Sequence, residues 1–365
     1  MKQKYYSLKN ILSKGCFYNV IFGQRSNGKT YSVLKYALEQ YYKTGGQLAI
    51  IRRWQDDFRG KRGASMFDAL MDNNEIMKIT NGEWTGVYYL SSRWYLCRTE
   101  PETDKRVVAD EPFAYGFAVS SGEHDKSSSF PKVTTIMFDE MLTRTYLPDE
   151  FVLFMNVLST IIRQRDNVRI FMLGNTISAY CPYFQEMGLT NIKKMKPGDI
   201  DVYQYGDSRL TVAVEFADNP NKGKASDLYF AFDNPKLSMI TGHGDTTWEL
   251  GIYPHCPEKF APKDIVFSYF IEFDGNMLQA DIIEKPDKMF TFVHRKTGDI
   301  KDPDNDVIFS PTYDPRPNWH RKITKPGTNM EKKIAWFYQI DAVYYQDNEV
   351  GNVVENYLNW CRTSK

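Results

Sequence analysis

Short apolar runs alternate with helical patterns through the first half of the chain. FYNVIF at 17–22 is rich in β-branched and aromatic residues and reads as a strand. TYSVLKYALEQYYKTGG follows, with Val33, Leu34, Ala37, Leu38 and Tyr41 at helical spacing and a Gly45 and Gly46 pair where a helix should stop. LAIIRRW at 48–54 is a second buried strand, and Asp68, Ala69 and Leu70 belong to a short helix. EWTGVYYLSSRWYLCRT alternates as a hairpin would, and FAYGFAVSS at 113–121 reads as a third core strand. VTTIMFDE at 133–140 and VRIFMLGNT at 168–176 are apolar runs that end in polar residues. Between them EFVLFMNVLSTIIRQR reads as an amphipathic helix with Arg163 and Arg165 at its end. The alternation predicts an α/β fold, a parallel sheet flanked by helices.

After about Ile200 the pattern changes. DNPNKGKASD and DNPKLSMITGHGD carry the Asn, Asp, Pro and Gly of a linker. From about Trp248 the runs DIVFSYFIEF, NMLQADII and KMFTFVHRK read as strands, and MEKKIAWFYQIDAVYYQ and GNVVENYLNWCR as closing helices. The expected organisation is a first domain over 1–203, a linker over 204–247 and a smaller α/β domain over 248–365.

Composition narrows the partners. Lys plus Arg and Asp plus Glu are 46 each, so any site for a polyanion has to be local. The five cysteines are isolated, with no CxxC pair, which argues for reduced thiols and against a zinc site. The N-terminus MKQKYYSLKN is charged where a signal peptide is apolar, and no stretch approaches the ~18 apolar residues of a membrane helix. A soluble chain without membrane partners is expected.

One segment carries chemistry. GQRSNGKT, from Gly23 through Gln24, Arg25, Ser26, Asn27 and Gly28 to Lys29 and Thr30, fits G-x-x-x-x-G-K-[ST] between a strand and a helix. The glycines let backbone N–H groups and the helix N-terminus face phosphates. Lys29 would neutralise phosphate charge, and Thr30 would offer its hydroxyl to Mg²⁺. IMFDE supplies the second element: Asp139 for the Mg²⁺ shell and Glu140 to polarise an attacking water. The pair places the chain among ATP-hydrolysing P-loop enzymes of the additional-strand, catalytic-glutamate branch. Asn175 in LGNT stands where a sensor of the γ-phosphate would, and Arg163 is a candidate to complete a neighbouring subunit's site, with Arg165 and Arg169 as rivals.

NVIFGQRSNGKTYSV, IIRRW, FPKVTTIMFDE, STIIRQRDNVRIFMLGN and CPYF at 181–184, in this order, resemble the double-stranded DNA packaging ATPases of small protein-primed podophages, compact relatives of the large terminases. The resemblance covers roughly the first 200 residues. It implies a homopentameric ring that docks from the host cytoplasm on the procapsid portal and threads duplex DNA inward, an isolated chain being monomeric. In some relatives a structural RNA joins ring and portal. Arg163 matches the family's arginine finger. Gln55 occupies the place of a second basic residue after the IRR strand, with Arg53 and Arg59 as substitutes.

The resemblance also implies a C-terminal RNase H-like nuclease that has lost its acidic cluster. Glu272, Asp274 and Asp281 are acids on or beside predicted strands, without the further acid that would close a two-metal site. A motor must ignore base sequence, so its DNA contacts should be to phosphates. Lys126, Arg144, Arg59, Lys61 and Arg62 are candidates. The alternatives are a helicase-like remodelling ATPase outside packaging, and an assembly module gated by nucleotide with negligible turnover.

Overall fold

A computed structural model describes residues 5–121, 129–143, 146–175, 181–218 and 253–363. The chain divides into two compact units, Met1–Arg144 with Glu150–Glu249, and Thr145–Asp149 with Leu250–Lys365. Among the described residues no helix is long and apolar enough to cross a membrane.

The first unit is built on a mixed sheet. In chain order its strands are β1 (Tyr18–Gly23), β2 (Gln47–Arg52), β3 (Gly86–Leu90), β4 (Arg93–Thr99), β5 (Arg106–Val108), β6 (Ala114–Ala118), β7 (Val133–Phe138), β8 (Arg169–Asn175), β9 (Ile200–Gln204) and β10 (Thr211–Ala217). They lie in the order β3-β4-β6-β2-β7-β8-β1-β10-β9, with β5 on β4. From β6 to β10 the neighbours run parallel, and the hairpin β3–β4 and strand β9 add antiparallel edges. The central strands are buried along nearly their whole length, as both-faced parallel strands are. Helix α1 (Lys29–Thr44) turns Val33, Leu34, Ala37 and Leu38 to that core. Each large side chain in the stripe contributes about 1.5–3 kcal/mol of burial. The helix ends at Gly45, whose φ of 74° lets its N–H reach back to the Tyr41 carbonyl.

Strand β10 is a correction to the sequence reading, which placed TVAVEFA in the linker. It pairs parallel with β1, with Gly23 opposite Ala217. Its alternation was hidden between polar stretches, and its partner lies nearly 200 residues away in sequence. Residues 219–247 of the linker lie outside the described residues.

The second unit has a sheet of β11 (Ile265–Phe273), β12 (Asn276–Lys285), β13 (Lys288–Arg295), β14 (Ile308–Phe309), β15 (Trp319–His320) and β16 (Val343–Tyr345), ordered β15-β14-β11-β12-β13-β16. The first three form an antiparallel meander; β14 is parallel to β11, and β15 to β14. The helices Asn329–Gln339 and Asn348–Thr363 close it. Thr328 caps the first of these, accepting the Glu331 N–H while Glu331 accepts from the Thr328 hydroxyl.

The three acids of this unit do not converge. Glu272 stands opposite Met277 and Asp281 opposite Ser268, so along the paired strands they are four residues, roughly 13 Å, apart. Asp274 is in the connecting turn at φ 52°. Asp281 is buried and saturated by Ser268, Gln279 and His294. Glu272 accepts a 2.9 Å hydrogen bond from Ser310, just past β14.

Candidate active site

The register of the sheet assembles one cleft at the carboxyl ends of β1, β2, β7 and β8. Gly23 pairs with Asn175, Ile51 with Phe138, and Phe138 with Met172. The residues that follow, Arg52 and Asp139, therefore face each other across adjacent strand ends. A cleft of 340 Å³ is lined by Lys29, Thr30, Arg52, Arg62, Ser65, Met66, Asp139, Glu140, Leu173, Gly174 and Asn175.

The loop from Gly23 to Gly28 takes a conformation that glycine permits. Gly28 has φ 89°, and a Cβ there would lie 2.7 Å from the Tyr5 ring. Behind the loop, Tyr6 N–H donates to the Asn27 carbonyl at 2.9 Å, and the Tyr6 hydroxyl donates to Glu215 of β10. Lys29 is buried, and its ammonium donates to the carbonyls of Gly23 (3.2 Å) and Gln24 (2.8 Å), to Asn27 Oδ1 (3.2 Å) and to Asn175 Oδ1 (3.3 Å). The cation is thus parked on neutral oxygens at the mouth of a helix N-terminus, a place suited to an anion. Burial pushes its pKa down to about 8, against the opposing pull of Asp139.

Thr30 donates from its hydroxyl to Asp139 Oδ1 at 3.1 Å. Asp139 is buried, and desolvation raises its pKa although Arg52 beside it acts the other way. Two hard oxygens in contact, one on a desolvated carboxylate, fit a divalent cation such as Mg²⁺. Arg52 binds both acids: one terminal nitrogen is 2.7 Å from Asp139 Oδ2, the other 3.0 Å from Glu140 Oε2. Glu140 is 61% exposed in its side chain and sits at φ 61°, a left-handed turn that costs a non-glycine residue on the order of 1 kcal/mol or more.

Arg53 holds that turn. Arg52 is the last residue of β2 and enters the cleft, while Arg53, just past the strand, goes beneath the turn. Its guanidinium bonds the carbonyls of Glu140 (3.1 Å) and Met141 (3.0 Å) and both oxygens of Glu150 (2.8 and 2.7 Å). Tyr183 donates to the same carboxylate at 2.8 Å. Arg53 and Glu150 are both buried, so of the two substitutes for the basic residue missing at Gln55, Arg53 is committed inside its own chain. Gln55 accepts from the Ser121 hydroxyl at 3.0 Å, and exposed Arg59 pairs with Asp56 at 2.8 Å.

The candidate arginines lie elsewhere. Helix α2 (Glu150–Ile162) returns from the carboxyl end of β7 to the opposite edge of the sheet, where β8 begins. Arg163 follows it, exposed, outside the cleft of its own chain. Arg165 is committed to the carbonyls of Phe130, Pro131, Val133, Ile161 and Ile162, which rules it out as a mobile finger. Arg169 donates to the Tyr36 hydroxyl at 2.7 Å. Of the five DNA candidates, Lys126 and Arg144 lie outside the described residues, Arg59 and Lys61 are exposed, and Arg62 lines the cleft.

The model of the Podovirus DNA encapsidation protein (Gp16) family matches residues 1–82 and 104–243, more than half of the chain. The chain belongs to that family. The DNA packaging proteins of Bacillus phages are similar to it. The DNA packaging protein of Bacillus phage B103 is 24% identical over 234 residues, 63% of this chain and 65% of that protein. The one from Bacillus phage phi29 is 25% identical over 187 residues, 50% of each. The chain thus spans about half to two thirds of the length of the curated relatives it matches. The Phi-28 gp11 DNA packaging motor aligns with a TM-score of 0.51 and 17% identity over 99% of both chains. The bacteriophage Phi-29 viral genome packaging motor assembly aligns with a TM-score of 0.51 and 16% identity, covering 96% of this chain and 97% of that one. At these identities the two structures speak to the fold, a mixed α/β chain with a large sheet rich in parallel strands.

Proposed function

We propose that the chain is the ATP-driven motor that moves viral double-stranded DNA through the portal into a preformed procapsid. The observation that carries the reading is the convergence of Lys29, Thr30, Asp139 and Glu140 at one sheet edge, in a chain of the encapsidation family. The position of β8 between β1 and β7 supports the additional-strand branch of P-loop enzymes.

In this reading the loop amides and Lys29 would hold the β- and γ-phosphates of ATP, and Thr30 and Asp139 would hold a Mg²⁺ that offsets phosphate charge. Glu140 takes the proton of the attacking water as general base. In the described arrangement Arg52 engages Glu140, so hydrolysis requires Glu140 to leave Arg52 and turn to the water. Asn175, already bonded to Lys29, is placed to follow the state of the phosphates. Arg163, remote from its own cleft, fits a role in the site of the next subunit of a ring. The second unit's meander with two parallel strands on one side supports an RNase H-like layout. Ser310 beside Glu272 and the separation of the acids support a nuclease that no longer cuts. Portal, DNA and, in the manner of some relatives, a structural RNA are the proposed partners.

The low pKa of Lys29 has a consequence for pH. A buried lysine that loses its proton near pH 8, below its usual 10.5, costs the folded chain stability while charged. That cost disappears as pH rises from about 8 towards 10.5, where the unfolded chain holds more protons than the folded one. Polyphosphate in the loop favours the charged form, so ATP binding just above pH 8 should take up a proton and weaken as pH rises. Titration calorimetry in buffers of different ionisation enthalpy reads the uptake; heats independent of buffer would contradict it.

The proposal is tested by steady-state ATP hydrolysis with and without linear duplex DNA at low salt. Phosphate contacts strengthen as salt falls. A motor gives hydrolysis stimulated by duplex, with the stimulation fading as salt is raised. Hydrolysis indifferent to duplex would leave a nucleotide site without its proposed partner.

A further inference from the structure

Arg62 was grouped by sequence with Arg59 and Lys61 as a DNA contact, yet of the three it alone lines the cleft with Lys29, Glu140 and Asn175. Its guanidinium makes no hydrogen bond or ion pair among the described residues. The other cations of the cleft are already engaged: Lys29 on four protein oxygens, and Arg52 on two carboxylates. A nucleoside triphosphate brings more negative charge than one divalent cation and Lys29 together return, so an unengaged cation in this cleft has charge left to answer.

The backbone beneath Arg62 is held in place. It lies in a short helical segment, Gly60–Ala64, continued by the turn Ser65–Phe67. Phe58 and Phe67 are buried on either side. Gly63 packs so closely that a Cβ would lie 2.4 Å from the Tyr89 hydroxyl and 2.8 Å from the Phe58 carbonyl. The Trp94 indole donates to the Gly63 carbonyl at 2.9 Å. Tyr89 and Trp94 belong to the hairpin β3–β4, so this hairpin fixes the residue next to Arg62, whose own side chain lines the cleft.

We propose that Arg62 binds the γ-phosphate of the nucleotide held by its own chain. The inference rests on the ATP reading of this cleft. The planar guanidinium suits two phosphate oxygens at once, and it shares the cleft with Glu140 and Asn175, which in the ATP reading stand at its γ end. On ADP the contact has no partner, so the segment Gly60–Ala64 and the hairpin that anchors it distinguish triphosphate from diphosphate.

The test compares native protein, Arg62→Ala and Arg62→Lys for affinity to a non-hydrolysable ATP analogue, to ADP and to linear duplex DNA, each with Mg²⁺. Arg62→Ala should weaken the analogue roughly tenfold to a hundredfold, as loss of one charged hydrogen-bonding group does. ADP and duplex affinities should stay at the native level, and Arg62→Lys should recover part of the loss. Unchanged analogue binding with weakened duplex binding would overturn the proposal in favour of a DNA contact. Equal losses for analogue and ADP would overturn the γ-phosphate assignment. Lys29→Ala serves as the separate control: if it binds both nucleotides normally, the nucleotide reading of the cleft itself fails.

Discussion

Glu140→Gln is expected to lower ATP hydrolysis by about 10²–10⁴-fold, the usual contribution of a positioned general base, while ATP remains bound. Glutamine keeps the length and the backbone turn at φ 61° but cannot take a proton. Binding should survive because the loop, Lys29 and Thr30 are untouched and Asp139 keeps its own bond to Arg52 at 2.7 Å. Single-turnover hydrolysis together with equilibrium binding separates the two effects. Hydrolysis that persists within a few-fold of native would remove Glu140 from the chemistry and leave Asp139 as the other candidate base.

The largest effect on stability is expected at Glu150. Glu150→Ala leaves the buried Arg53 guanidinium without its bidentate partner and Tyr183 without its acceptor. Breaking a buried pair from one side costs about 3–5 kcal/mol, because a desolvated charge remains behind. Denaturant unfolding should show that loss. Replacing both members at once, Arg53→Met with Glu150→Leu, should recover much of it, since no orphaned charge remains. A loss under about 1 kcal/mol for Glu150→Ala would mean that the pair is not buried as described. The double variant carries a second consequence: without Arg53 the carbonyls of Glu140 and Met141 lose their donors, so hydrolysis should fall even where stability returns.

The two kinds of residue differ in how far the sequence reveals them. The loop from Gly23 to Thr30 is local: its two glycines, Lys29 and Thr30 fall within one short segment, and the strand before and helix after it follow from periodicity within a few residues. The acid pair was legible for the same reason, as the end of an apolar run. Arg52 and Arg53 were visible as residues but not as roles. Which one enters the cleft depends on the pairing of β2 with β7, and the sequence pattern does not set that register. Arg165 looked like a free arginine at a helix end until the turn before β7 brought its carbonyls within reach. Glu272 and Asp281 lie on one hairpin, yet the pairing that joins the strands also holds the two acids apart. Arg62 needed the close contact at Gly63, which joins segments about 25 residues apart in sequence.

The proposed motor couples ATP hydrolysis at this cleft to the movement of duplex DNA into a procapsid. The most direct measurement is protection of viral DNA from added nuclease after incubation with procapsids, ATP, Mg²⁺ and either the native chain or Glu140→Gln. Genome-length protected DNA is expected with the native chain, and none with Glu140→Gln even though that variant binds ATP. Protection by Glu140→Gln equal to that of the native chain would contradict it.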